Sequence, residues 1–255
     1  MHHFKSSLVA LALTGFAVAA AADPLTASVS VEFDNPIFNG SGYDIVSITY
    51  RLPGTGTNKT ESVAAGRFQG KATNLVNIDP GVFVDGVDDM FLYCYDVYES
   101  INHGQSVNYI VDFNGATERT LDFLGAVNSV LSIGKAYSPY AWLHPTTANQ
   151  GAAIQIGIWE SLYDSGAWDL GDGLFKATGL DAATKTAWNS FTGAIGSTDA
   201  LDIRYTMVLR NAGAQDMIAG DPPTNVPEPG SLALVGLALA GLAGSRQLRR
   251  KAPRA

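Results

Sequence analysis

The chain has 255 residues, a formal net charge of −8, 46% hydrophobic and 10% aromatic residues, and one cysteine. A net charge of that sign argues against nucleic acid, whose phosphates demand a basic face, and a single cysteine permits no internal disulfide. Setting aside the two end segments described below leaves 10 Lys and Arg against 23 Asp and Glu, a net charge near −13 that suits a soluble surface protein.

At the start, Lys5 precedes the apolar run LVALALTGFAVAAAA, which closes on Ala20-Ala21-Ala22 before Asp23. A positive start, a short apolar stretch and a small-residue site read as a cleavable secretory signal over residues 1–22. The run is too short for a membrane span, and it lacks the polar face of a buried amphipathic helix. Residues 23–222 follow, about 200 residues, enough for one sizeable globular domain. Residues 223–255 form a tail.

The first part of the domain reads as β. In ASVSVEF (27–33), Val29, Val31 and Phe33 alternate with polar residues, the period-two pattern of a half-buried strand. Asn35-Pro36 and Asn39-Gly40-Ser41-Gly42 mark turns, and Pro53-Gly54-Thr55-Gly56 stops a second strand at 43–52. Further strands are expected at 62–70, 73–78, 90–98, 107–113 and 117–124. Short strands with Gly and Pro turns predict an antiparallel β-sandwich or barrel.

The pattern changes to helices over 134–195. Helices are expected at 134–143 and 147–164. In the second, Ala152, Ile156, Trp159 and Tyr163 recur at helical spacing while Ile154, Ile158 and Leu162 form an adjacent stripe, an apolar surface wide enough to leave little solvent contact. A third helix is expected at 181–195 with Asp181 as N-cap. LDIRYTMVLR (201–210) returns to alternation and is expected to close the sheet. The fold class is therefore mainly β with a helical segment.

The tail reads VPEPG, then an apolar run from Leu232 to Gly244, then Arg246, Arg249, Arg250 and Lys251. The run is shorter than the roughly 20 residues a stable spanning helix uses, and the basic cluster predicts a cytoplasmic C-terminus. This order, with Pro227, Glu228 and Pro229 as its defining element, resembles the PEP-CTERM sorting signal of Gram-negative bacteria. The resemblance implies an exosortase as partner and transient inner-membrane anchoring by residues 232–244. It also implies delivery to the cell surface or exopolysaccharide matrix, the setting of biofilms.

Two residues inside the domain stand out. Cys94 lies among aromatics in FLYCYD, and Gln155 interrupts the apolar helix AAIQIGIWE. A buried carboxamide without partners costs about 1–3 kcal/mol, so Gln155 is expected to have a specific partner. The pair resembles the thioester domains of bacterial surface adhesins, which carry a cysteine in a short aromatic strand and a glutamine in Thr-Gln-x-Ala-apolar-Trp. Here Ile154 stands in place of Thr and Gly157 in place of Ala. The resemblance implies a thioester-domain-like fold and an internal thioester with Cys94 as sulfur and Gln155 as acyl donor. Trp159 would pack around the bond, and Tyr93 and Tyr95 would help exclude water. An amine or hydroxyl on a surface, protein or polysaccharide would then be captured once, without enzymatic turnover. The alternative is a non-covalent matrix sandwich in which Cys94 is a buried small hydrophobe.

Other candidates carry less. Asp79, Asp85, Asp88 and Asp89 form an acidic loop without EF-hand spacing, and read as solvated rather than as a calcium site. Asp169 and Asp172 in DLGDG read as a turn. His103 and His144 lack zinc spacing, and no G-x-S-x-G elbow is present. No motif supports a glycan hydrolase, no general acid or base is assigned among Asp96, His103 and Glu160, and neither a metal nor a cofactor is expected.

Overall fold

The computed structural model describes residues 26–222; the expected secretory signal and the sorting tail lie outside them. In chain order the elements are β1 (Ser28–Phe33), β2 (Tyr43–Arg51), β3 (Asn58–Gly66), β4 (Phe68–Val76), β5 (Met90–Cys94), β6 (Ser106–Asp112), α1 (Glu118–Leu131), α2 (Ala148–Tyr163), β7 (Phe175–Thr178), α3 (Ala182–Ala194), β8 (Thr206–Arg210) and β9 (Met217–Gly220). Six strands close an antiparallel barrel in the order β1-β4-β5-β9-β8-β6, and β3-β2-β7 form a second sheet.

Alternation builds both sheets. In β1, Val29, Val31 and Phe33 are buried; in β2, Val46, Ile48 and Tyr50 are buried while Tyr43 and Ile45 face outward. The glycine-rich turn after Leu52 brings β3 back along β2 in continuous register, from Arg51 opposite Asn58 to Tyr43 opposite Gly66.

The wide apolar surface expected of α2 is observed: every residue from Gly151 to Ser161 is buried. The helix packs against β2, β3 and β7 as well as against α1 and α3, which leaves it no solvent face. Gly157 is required by that packing. A Cβ there would lie 1.9 Å from Phe123 Cζ of α1, so the missing side chain admits the ring.

Several elements differ from expectation. Residues 117–124 belong to α1, not to a strand. Thr117 accepts a hydrogen bond from the Thr120 N–H as an N-cap, and Leu121, Leu124 and Asn128 share one buried face at helical spacing. The helix expected at 134–143 is only a 3-10 turn, Ala141–Leu143. Pro139 removes an N–H and disfavours helical backbone at Ser138, and buried Asn128 supplies the missing partners. Its amide donates to Pro139 O at 2.9 Å, and its carbonyl accepts from Trp142 N at 2.8 Å. The strand expected at 201–210 covers only β8, and it does not close the barrel alone. The short β9 lies between β8 and β5. Asp181 occupies the N-cap position of α3 without a side-chain cap bond; its own N–H donates to Asp44 instead.

Candidate functional site

Cys94 ends β5 and is buried. On one side, β9 pairs with it, Cys94 opposite Met217, and the ladder continues through Tyr95 N–H to Asp216 O. On the other side, pairing with β4 runs out at Leu92 opposite Phe68. The Cys94 N–H and C=O face that vacated side, because successive residues of an antiparallel strand direct their backbone groups to opposite edges.

Gln155 fills the gap. Its Oε1 accepts from Cys94 N at 2.8 Å and its Nε2 donates to Cys94 O at 2.9 Å. One carboxamide thus replaces a strand's donor and acceptor, which explains a fully buried glutamine in an apolar helix. Trp159 lies one turn further along α2, and its Nε1 donates to Asp96 O at 3.0 Å. One turn beyond, Tyr163 Oη accepts from Val97 N at 3.2 Å. The i, i+4, i+8 stripe of α2 therefore holds the backbone of Cys94, Asp96 and Val97 as the chain leaves the barrel.

The thiol has a different partner. Cys94 Sγ donates to Oε1 of Gln215 at 2.8 Å, and Gln215 Nε2 donates to Asp96 O at 3.0 Å. Gln215 is 7% exposed and sits just before β9, where the Cys94–Met217 register carries it to the thiol. Its own backbone carbonyl accepts from Tyr109 Oη at 3.0 Å. The Gln155 carbonyl thus accepts from the backbone of Cys94, and the Gln215 carboxamide is the one hydrogen-bonded to the sulfur.

Electrostatics follow burial. Desolvation pushes the Cys94 thiol well up, reinforced by the Asp96 charge, so the sulfur is held as a thiol. Burial also raises the Asp96 carboxyl to about 7, against the backbone N–H groups of Asp216 and Tyr98 that it accepts.

Cys94, Gln215 and Trp159 line a cleft of about 430 Å³ between the second sheet and the 97–103 loop. Tyr93 and Tyr95 do not. They alternate with Cys94 along the strand and so point the other way, Tyr93 donating to Trp142 O at 3.2 Å and Tyr95 Oη accepting from Thr117 N at 2.8 Å. They brace the strand rather than cover the thiol. Glu61, Glu99 and His103 also line the cleft.

The acidic loop is divided among separate tasks. Asp79 caps a 3-10 turn, Asp85 bonds His144, Asp88 pairs with Lys71 and Asp89 accepts from Gln69. Among the described residues no group of three His, Cys, Asp or Glu side chains is placed to hold a metal ion. Asp169 forms the expected turn, accepting from Gly171 N.

A family model for the PEP-CTERM protein-sorting motif matches residues 225–250. The chain carries a PEP-CTERM sorting signal. The matched segment contains Pro227-Glu228-Pro229, the apolar run and the arginines at 246, 249 and 250. PEP-CTERM proteins are exported and sorted by an exosortase, so this chain is an exported, membrane-associated cell-surface protein. The proposed anchor at 232–244 lies outside the described residues; among those described, no helix is long and apolar enough to cross a membrane. None of the curated proteins and none of the solved structures compared matches the chain.

Proposed function

We propose that this PEP-CTERM protein attaches covalently to a surface or matrix target through an internal thioester between Cys94 and Gln215. The contact of Cys94 Sγ with Gln215 Oε1 carries the reading: a thiol and a carboxamide held together, both buried, at the floor of an open cleft. Residue 155, the acyl donor implied by the thioester-domain resemblance, is here a positioning residue that fixes the strand end bearing the sulfur.

The reaction balances without a cofactor. Sγ adds to Cδ of Gln215, the thiol proton passes to Nε2, the C–N bond breaks, and ammonia leaves. Neither group is reactive alone: the carboxamide is a weak electrophile and the thiol is protonated. Fixed contact supplies the large effective molarity of an intramolecular reaction, and burial limits hydrolysis of the product.

A target nucleophile entering the cleft then takes the acyl group and returns the thiol. Each molecule reacts once, so the protein is not an enzyme. The tail serves the same end: residues 232–244 act as a transient inner-membrane anchor of a Gram-negative bacterium until an exosortase sorts the chain to the surface or exopolysaccharide matrix. The test is methylamine incorporation by the exported protein, located by peptide mass analysis. The expected site is residue 215; label at no residue of the Cys94 cleft contradicts the reading.

A further inference from the structure

We propose that a groove between the loop joining α2 to β7 and the helix α3 is a reversible binding site for neutral pyranose chains, independent of the thioester. The groove has a volume of about 530 Å³, a size ordinary for a ligand site, and it shares no lining residue with the cleft at Cys94.

Trp168 supplies a flat platform. One face of its indole lies on α1, with the Arg119 guanidinium carbon 3.8 Å from the ring centroid and the Phe123 ring stacked at 5.4 Å between centroids. Arg119 and Phe123 stand one turn apart on that helix and so approach from one side. That side is the interior, because Phe123 and Glu160 are fully buried and Arg119 Nε and Nη2 are shut off from solvent. The half-buried indole therefore keeps its remaining exposure for the opposite face, toward the groove it lines. Trp188 stands beside it, 6.3 Å away and tilted by 59°. Two bonds fix the platform: Arg119 Nη1 donates to Gly166 O at 3.0 Å, and Ala177 N donates to Leu170 O at 3.0 Å, tying the loop to β7. The electron-rich face of an indole packs against the C–H face of a pyranose ring.

The polar groups fit hydroxyls. Asp169, Lys185 and Asn189 line the same groove and are exposed. Lys185 and Asn189 are i, i+4 neighbours and share one face of α3, while Asp169 directly follows the platform and its Oδ1 accepts from Gly171 N at 2.9 Å, which orients the carboxylate. A carboxylate that accepts, an ammonium that donates and a carboxamide that does both match neighbouring sugar hydroxyls, each a donor and an acceptor. A purely apolar ligand would cover these groups without bonding them. Charge separates neutral from anionic chains. One acid and one base balance in the groove, and the acidic domain around it repels a polyuronate. No covalent bond forms or breaks.

The test is isothermal titration of the exported full chain with cellohexaose, maltohexaose, mannohexaose and, as the anionic comparison, hexagalacturonate. At least one neutral hexasaccharide is expected to bind saturably at millimolar concentration, more tightly than hexagalacturonate and equally well to wild type and Cys94→Ala. Trp168→Ala is expected to weaken that binding about tenfold or more, as loss of a central aromatic anchor does. Because Trp168 also covers Arg119 and Glu160, Lys185→Ala/Asn189→Ala is the second variant. Both side chains are exposed, so its thermal midpoint should stay at the wild-type value while binding falls severalfold. No saturable binding of any neutral probe, or undiminished binding by the double variant, overturns the site. Tighter binding of hexagalacturonate overturns the neutral assignment, and binding lost in a folded Cys94→Ala protein assigns recognition to the other cleft and overturns the groove.

Discussion

Cys94 and Gln215 are 121 residues apart in sequence, yet the sulfur lies 2.8 Å from the carboxamide oxygen. Barrel closure produces the contact. β9 reaches β5 only because the chain has first passed through β6, the three helices and β8, and the Cys94–Met217 register then fixes which side chain meets the thiol. The two glutamines near Cys94 consequently have different expected phenotypes. Gln215→Ala abolishes ammonia loss while leaving the backbone of Cys94 fully bonded. Gln155→Ala strands a buried N–H and C=O and lowers stability by about 1–3 kcal/mol per group left unpaired. Denaturation midpoints and intact masses of both variants separate the roles; a Gln155→Ala protein as stable as wild type would contradict the positioning role.

Trp159→Phe keeps an aromatic side chain but removes part of the indole together with the Nε1–H bond to Asp96 O, which still accepts from Gln215 Nε2. The expected loss is about 1 kcal/mol, measured by chemical denaturation. A loss several times larger would mean that the indole's packing, not its bond, holds the 94–97 segment.

Gly157→Ala is expected to destabilise the fold by about 1–3 kcal/mol or more, because the new Cβ meets the Phe123 ring. Phe123→Leu in the same chain should recover part of the loss, a coupling that two independent sites would not show. Additive effects in the double variant would contradict direct packing of α1 on α2 at this point.

Stability should fall as pH rises from about 5 to about 8. Burial raises the carboxyls of Asp96 and Asp221 to about 7 and that of Glu160 to about 8. Unfolded, such groups release their protons near pH 4. Across the interval the folded state binds more protons, so raising the pH favours unfolding. His144 acts in the same direction, its pKa raised by the Asp85 bond, so that its contribution is full below the unfolded value of about 6.5 and is lost above. Thermal midpoints at pH 5 and pH 8 check this; a higher midpoint at pH 8 would contradict it.

The residues that were legible in sequence are those whose chemistry conflicted with their surroundings. Gln155 stood out as a carboxamide in an apolar helix, and the conflict correctly signalled a specific partner at Cys94, although the partner is backbone. Gln215 raised no conflict. In AGAQDMIAG it stands among small and polar residues like any glutamine near a turn, and the four residues of β9 are too few for alternation to show. Position 157 looked like a departure from a motif until the Phe123 ring accounted for the missing methyl. The segment at 117–124 misled because Leu121 and Phe123 alternate around Asp122. Only the longer run, through Leu124 and Asn128, shows the helical spacing.

The intact mass of the exported protein tests the central claim most directly. A Cys94–Gln215 thioester makes the chain lighter by one ammonia than its processed sequence, and Cys94→Ala or Gln215→Ala restores the full sequence mass of the respective variant. A wild-type protein at full sequence mass, with a thiol that titrates after unfolding, would contradict the account and leave Cys94 as a buried residue of a non-covalent surface domain.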